Sequence, residues 1–259
     1  MSDPLLLFEI CDGTAVLTLN RPSARNALSV ALQDALIARL REVDQRDDVG
    51  AAVLTGAGSA FCAGFDLKEI ASGFGGGDGG GRQTELAALI DGLSKPLIGA
   101  INGHAITGGF ELALACDVLI ASSNARFADT HTRVGMVPGW GLSQRLPRLI
   151  GTYRAKELSL TGNFIDAERA ERWGLVNRVV APDELLPTCL GLAADMNSCV
   201  PEANRESKRL IDEGFARAFG EALACEARDA VAWAKQVSGE MVGERREGIL
   251  ARGRSQSRG

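Results

Sequence analysis

Two segments carry residue types that could act together. One is Ser59-Ala60-Phe61-Cys62-Ala63-Gly64-Phe65-Asp66-Leu67-Lys68-Glu69. The other is Ile101-Asn102-Gly103-His104-Ala105-Ile106-Thr107-Gly108-Gly109-Phe110-Glu111-Leu112-Ala113-Leu114. In the second, Gly108 and Gly109 fall where a loop leaving a strand becomes a helix. The first N–H groups of a helix have no intrahelical acceptor and lie at the positive end of its dipole. Glycine lets a ligand approach them closely, so such a place accepts negative charge developing on an oxygen. Glu111 follows one turn in, a carboxylate among apolar neighbours, where burial would raise its pKa. A backbone anion hole beside a general base suits enolate chemistry. The same residues also read as a tight helix start in which Glu111 only complements the dipole, and local pattern leaves both open.

Other chemistries lose their signatures. Gly56-Ala57-Gly58 hints at a dinucleotide loop, but the place of its third glycine holds Phe61. There is no Gly-Lys dipeptide for a phosphate-binding loop, no G-x-S-x-G elbow and no H-E-x-x-H. The 259 residues include only two histidines, too few for a His-rich metal site, and no metal ligand set is expected. The 28 Lys+Arg against 33 Asp+Glu give a net charge of -5, which argues against a dedicated nucleic-acid binder. Six scattered cysteines form no C-x-x-C pair; they read mainly as buried reduced thiols, which suits a reducing compartment. Residues 1–10 carry Asp3 and Glu9 and lack the basic start of a signal peptide. No apolar stretch approaches the roughly 18 residues of a membrane span, so a cytoplasmic protein is expected.

The elements that must position these residues alternate. Leu5–Ile10 and Ala15–Leu19 read as strands around an Asp12-Gly13 hairpin turn. Ser29 is the expected N-cap of a helix reaching about Val43, with Leu32, Leu36, Ile37 and Leu40 on one face. Ala51–Thr55, Leu97–Ile101 and Asp117–Ala121 are apolar runs typical of strands buried on both faces. Helices are expected near Glu85–Leu93 and from Gly108 through Leu114, giving the βαβ pattern of an α/β fold. From about Gly141 the pattern is mainly helical: Leu142–Ile150, Tyr153–Leu160, Ala167–Trp173 capped by Asp166, Glu184–Met196, Glu202–Glu213 and Ala218–Val237. One short strand, Val176–Val180, interrupts it. Residues 73–81 hold seven glycines in nine and read as a mobile loop. The expected division is an α/β core over 1–195 and a helical region over 196–259.

Four ordered motifs then carry a resemblance. Asn20–Leu28 reads Asn-Arg-Pro-x-x-x-Asn-Ala-Leu, Ala60–Leu67 reads Ala-Phe-x-Ala-Gly-x-Asp-Leu, Asn102–Ala113 reads Asn-Gly-x-Ala-x-x-Gly-Gly-x-Glu-Leu-Ala, and Phe127–Gly139 ends in Pro-Gly. Together these resemble the enoyl-CoA hydratase/isomerase (crotonase) superfamily over about residues 5–250. The resemblance implies a spiral core of ββα repeats and a helical C-terminal region that builds a trimer or a hexamer. It implies an acyl-CoA thioester substrate with no separate cofactor, and an oxyanion hole from the N–H groups of Phe65 and Gly108. Ala63, Asp66 and Leu67 belong to the substrate-binding motif. Lys68 and Arg25 are candidates for the CoA phosphates, and Trp140 for the acyl pocket. His104 reads more simply as strand-end packing.

Hydratases of this family set two glutamates across the double bond. Glu111 matches the first; twenty residues on, where the second belongs, stands His131. An imidazole can give or take a proton near neutral pH, yet it differs from a carboxylate in shape and bonding capacity. His131 is therefore a catalytic candidate or a pocket-lining residue, and Asp129, two residues away, competes for the role. The leading reading is an enoyl-CoA hydratase-like lyase. An isomerase moving a single proton, or a non-catalytic acyl-CoA- or RNA-binding protein with the basic tail Arg245, Arg246, Arg252, Arg254 and Arg258, are the alternatives.

Overall fold

The computed structural model describes residues 3–69, 71 and 79–256. The chain begins with the hairpin β1 (Leu6–Cys11) and β2 (Thr14–Leu19), turned by Asp12 and Gly13, both at positive φ. Helix α1 (Val30–Gln45) starts where Ser29 Oγ accepts the Leu32 N–H at 3.3 Å. Then come β3 (Ala51–Gly56), β4 (Ala60–Cys62), the single turn α2 (Leu67–Glu69) and α3 (Gly79–Asp91). β5 (Leu97–Ile101), β6 (His104–Ile106) and α4 (Gly108–Leu114) follow, then β7 (Val118–Ser122) and β8 (Arg126–Ala128). The chain continues through α5 (Leu142–Ile150), α6 (Thr152–Thr161), β9 (Ile165–Asp166), α7 (Ala167–Arg172), β10 (Arg178–Val180) and α8 (Leu185–Asn197). Three helices close it: α9 (Pro201–Phe215), α10 (Phe219–Ala234) and α11 (Gly239–Gln256).

Six strands form one sheet in the order β1-β2-β3-β5-β7-β10, parallel except for the β1–β2 hairpin. Its central strands are apolar without alternation because both faces are covered. Ala51, Val53, Ile98, Ala100 and Ile120 pack against Leu185, Cys189 and Ala193 of α8. Their neighbours Ala52, Leu54, Leu97, Ile101 and Leu119 face the main core with Leu36 and Leu40 of α1 and Leu86 of α3. Lys95 is buried at the end of α1, where its Nζ donates to the carbonyls of Val43, at 2.6 Å, and Arg46.

A second sheet, β4-β6-β8-β9, is the part the sequence pattern did not show. Its strands have two or three residues, too short for any period to register. Three of them each follow a strand of the first sheet, β3 to β4, β5 to β6 and β7 to β8, so the core is the expected ββα succession. β4 and β6 lie within the two chemical segments and lead into Ala63-Gly64 and Thr107-Gly108.

The chain divides into two compact units, Met1–Arg205 and Glu206–Gly259, so the boundary falls inside α9 and ten residues beyond the 195/196 division expected from the sequence. Residues 239–256 are helical, as the expected helical region over 196–259 requires, and form one helix beyond the last one read individually from the sequence. In the glycine-rich run, residues 79–81 open α3; the rest of the expected mobile loop, 73–78, lies outside the described residues. Cys62, Cys189 and Cys225 are buried free thiols, but Cys11 and Cys199 are exposed. Cys11 ends the edge strand β1, whose outer residues face solvent.

Candidate active site

The first motif serves as a clasp for the second. Asn26, fully buried at φ 56, donates from Nδ2 to the carbonyls of Ala57 and Ala60 at 2.9 and 2.7 Å, and its Oδ1 accepts the Arg21 N–H at 2.8 Å. Arg21 reaches Asp66 Oδ2 at 3.0 Å. Burial raises the Asp66 carboxyl, but the Arg21 bond and the Lys68 N–H outweigh it and leave it below the usual carboxylate range. Ala63 N–H donates to the Arg25 carbonyl at 3.0 Å, Leu28 N–H to Gly64 at 2.8 Å, and Asp66 N–H to Leu28 at 3.3 Å. The strand is thereby held on one edge at residues 64 and 66, leaving the N–H of Phe65 on the other.

Gly64 turns the chain with φ 94, and a Cβ there would stand 3.2 Å from Gly108 N. A Cβ on Gly108 would stand 3.4 Å from Phe65 N and 2.7 Å from its ring, and one on Gly109 only 2.0 Å from the Cys62 carbonyl. The two segments thus meet backbone to backbone, which requires glycine. Among the described residues neither the Phe65 nor the Gly108 N–H donates to a protein acceptor. Thr107, just before them, has φ 53 and ψ -113, an outlier for a β-branched residue. Its N–H donates to Ala128 at 2.9 Å, and its Oγ1 lies 2.5 Å from Thr130 Oγ1 and accepts the Thr130 N–H. These bonds hold the strained residue in place.

Glu111 is 1% exposed. Its Oε1 accepts the main-chain N–H of Trp140 at 2.7 Å, with that of Leu142 at 3.5 Å; its Oε2 lies 3.6 Å from His131 Nε2. Burial pushes the Glu111 carboxyl above its usual range, against the opposing pull of the Trp140 N–H and His131. His131 is buried in a 3-10 turn, His131–Val134, with Nδ1 2.7 Å from Asp129 Oδ1, which also accepts the His131 N–H at 3.2 Å. Burial raises the Asp129 carboxyl too, but hydrogen bonds from His131 and Ser159 overcome it and hold it below the usual range. The turn is anchored to α6: Thr132 Oγ1 donates to Ser159 and Arg133 Nε to Thr161, at 3.0 and 2.7 Å. Trp140 is buried with its ring 6.3 Å from that of Phe65.

The structure therefore brings together Phe65, Gly108, Glu111, His131 and Trp140, and draws Asp129 in with them. Residues 25–28 and 63–68, bonded to one another, form a strap; Ala63 and Asp66 sit in it beside Gly64, where the N–H of Ala63 and the carboxylate of Asp66 are engaged in holding it. Arg25, Leu67 and Lys68 are exposed along the same strap, Arg25 at φ 50 with its carbonyl bonded to Ala63. His104 stands apart in β6, with Nδ1 3.3 Å from the Ser59 carbonyl and its ring edge-on to Phe164. Cys62, next to the strap, has its thiol pushed up to about 12 by burial and is no nucleophile. Two contributors carried no sequence signal of their own: the Trp140 main-chain N–H that holds the carboxylate, and Ser159. For Asp129 the Asp-x-His spacing was the available signal.

A ββα spiral core, two facing amides and a buried glutamate define a class of thioester-handling proteins, and comparison with known proteins agrees. The pattern of the enoyl-CoA hydratase/isomerase family matches residues 9–248, and this chain belongs to that family. It is 40% identical over 241 residues to a probable peroxisomal enoyl-CoA hydratase of Arabidopsis thaliana, covering 93% of this chain and 91% of that protein. A short-chain-enoyl-CoA hydratase of Clostridium acetobutylicum is 40% identical, with 82% of each chain covered. The crystal structure of an enoyl-CoA hydratase from Bacillus anthracis superposes with a TM-score of 0.88 at 34% identity, over 95% of this chain and 97% of that one.

Proposed function

We propose that this protein hydrates the double bond of a trans-2-enoyl-CoA thioester. The observation that carries the reading is the pairing of two unused amides, Phe65 and Gly108, with a buried carboxylate fixed by main-chain donors. The thioester oxygen accepts both amides, which stabilises the enolate formed as water adds. Removing one such donor typically costs about 10²–10³ in kcat. Glu111 takes a proton from the attacking water, and its raised pKa suits a group that must bind and release that proton. No separate cofactor enters, because coenzyme A arrives as part of the substrate. Phe65 and Trp140 flank the acyl chain, and Arg25 and Lys68 on the exposed strap meet the CoA phosphates. The test is the loss of enoyl absorbance with crotonyl-CoA and longer homologues; no turnover at any chain length sinks the reading.

The finer assignments follow. A homotrimer or a hexamer is supported by the apolar side chains that the C-terminal helices expose, among them Ile211, Phe219, Leu223 and Val231. Sedimentation that shows a monomer at micromolar concentration would remove it. A cytoplasmic setting is supported by the free cysteines and the bacterial relatives. Among the described residues no helix is long and apolar enough to cross a membrane.

A further inference from the structure

His131 has a carboxylate at each ring nitrogen: Asp129 Oδ1 at 2.7 Å from Nδ1 and Glu111 Oε2 at 3.6 Å from Nε2. A histidine kept only for packing needs one partner, and two buried carboxylates around one ring are costly to keep without a use. Neither carboxylate is free to swing. Asp129 Oδ1 is also bonded to the His131 N–H, and Glu111 Oε1 is held by Trp140 and Leu142. The groups facing the ring are thus Glu111 from α4 and Asp129 from the loop after β8; Arg133 is turned away to the Thr161 carbonyl.

We propose that Asp129, His131 and Glu111 form one proton relay, in which Asp129 is a positioning residue that fixes the imidazole and His131 Nε2 delivers the proton to the substrate. The proposal rests on the hydratase reading above. Glu111 takes a proton from water while the oxygen adds to the β-carbon, and the π electrons move to the thioester oxygen. The imidazolium of His131 gives its Nε2 proton to the α-carbon as the enolate collapses. The proton on Glu111 then crosses to Nε2, restoring carboxylate and imidazolium. Water has been added and no charge is left over. The Nδ1 proton never leaves Asp129; it sets the tautomer, so that Nε2 is always the working nitrogen. The 3.6 Å gap exceeds a hydrogen bond, as resting catalytic contacts often do, and closes to transfer distance by a shift of under about 1 Å.

The experiment combines nitrogen NMR of histidine-labelled full-length protein with steady-state kinetics. With only two histidines, His104→Asn assigns both rings. Brought by raised pH to the neutral ring, wild-type His131 should keep its one proton on Nδ1, and Asp129→Asn should release that preference. The same variant should lower kcat by about 10²–10⁴, with KM little changed. In a His131→Glu background, Asp129→Asn should lose its effect, because no ring remains to position. An unprotonated Nδ1 in the wild type overturns the relay, as does an equal loss in both backgrounds, which marks Asp129 as merely structural. A released tautomer with full activity overturns the relay and leaves the hydratase reading standing. A wild type without turnover overturns both the reading and the proton path.

Discussion

The helical unit beyond Glu206 and the site around Glu111 both gather charged side chains, and they hold them in opposite ways. In the first, Arg209 bridges Glu206, Glu213 and Asp229 at 2.6 to 2.7 Å, all on the surface. Among the described residues of that unit only Cys225 is buried. Hydrogen bonds to Arg209 lower the Glu206 and Asp229 carboxyls, and each pair shares its field with water. In the site, Glu111, Asp129 and His131 are at most 3% exposed, and one carboxyl is driven up while the other is driven down. Exposed charge of this kind adds little to stability, and buried charge costs stability unless it is closely paired and hydrogen-bonded, which is why such groups cluster at functional sites. Where the chain accepts the cost is where its chemistry should be.

The largest effect expected is on Glu111. Glu111→Gln keeps an acceptor for the Trp140 N–H and removes the base, so kcat should fall by about 10²–10⁴; an unchanged rate in the enoyl-CoA assay would break the contrast at its centre. Next is the close meeting of the two segments. Gly109→Ala places a methyl 2.0 Å from the Cys62 carbonyl and should destabilise the fold by about 1–3 kcal/mol in a denaturant titration, through forced backbone displacement. A pH series sharpens the comparison further. The folded-state value of Glu111 is raised, so its contribution to stability is present at acid pH and lost as pH rises through that value. Asp129 has the opposite sign: its contribution holds above the unfolded value and is lost as pH falls through the folded one. The Tm of Glu111→Gln relative to wild type should therefore improve from acid to neutral pH, and a difference independent of pH would contradict it. The smallest effect belongs to the helical unit. Arg209→Ala should lower Tm slightly, and the difference should close in high salt; a large, salt-independent loss would mean that the network is not a surface one.

Much of the architecture was legible in the residues. The apolar runs at Ala51, Leu97 and Val118 became the buried strands, and Ser29 and Asp166 cap the helices they were expected to cap. Those are local signals, set by caps and periods. The second sheet escaped because three-residue strands have no period, and α11 because its charged, glycine-bearing sequence has no apolar stripe. Within the site, Glu111, Gly108 and Phe65 could be named because their motifs span a few residues each. The pairing of Asp129 with His131 needed the 3-10 turn that folds the ring back over the carboxylate. Asp66 could be read from its motif, but its engagement with Arg21 depends on a contact across 45 residues.

Trp140 joins two tasks in one residue without mixing them. Its main-chain N–H holds Glu111, while its ring packs beside Phe65. The amide is the same in every residue except proline. Natural drift or an engineer can therefore resize position 140, and with it, on the proposed function, the range of acyl groups admitted, without rewriting the grip on Glu111. Reaction and selectivity can evolve separately at a single codon.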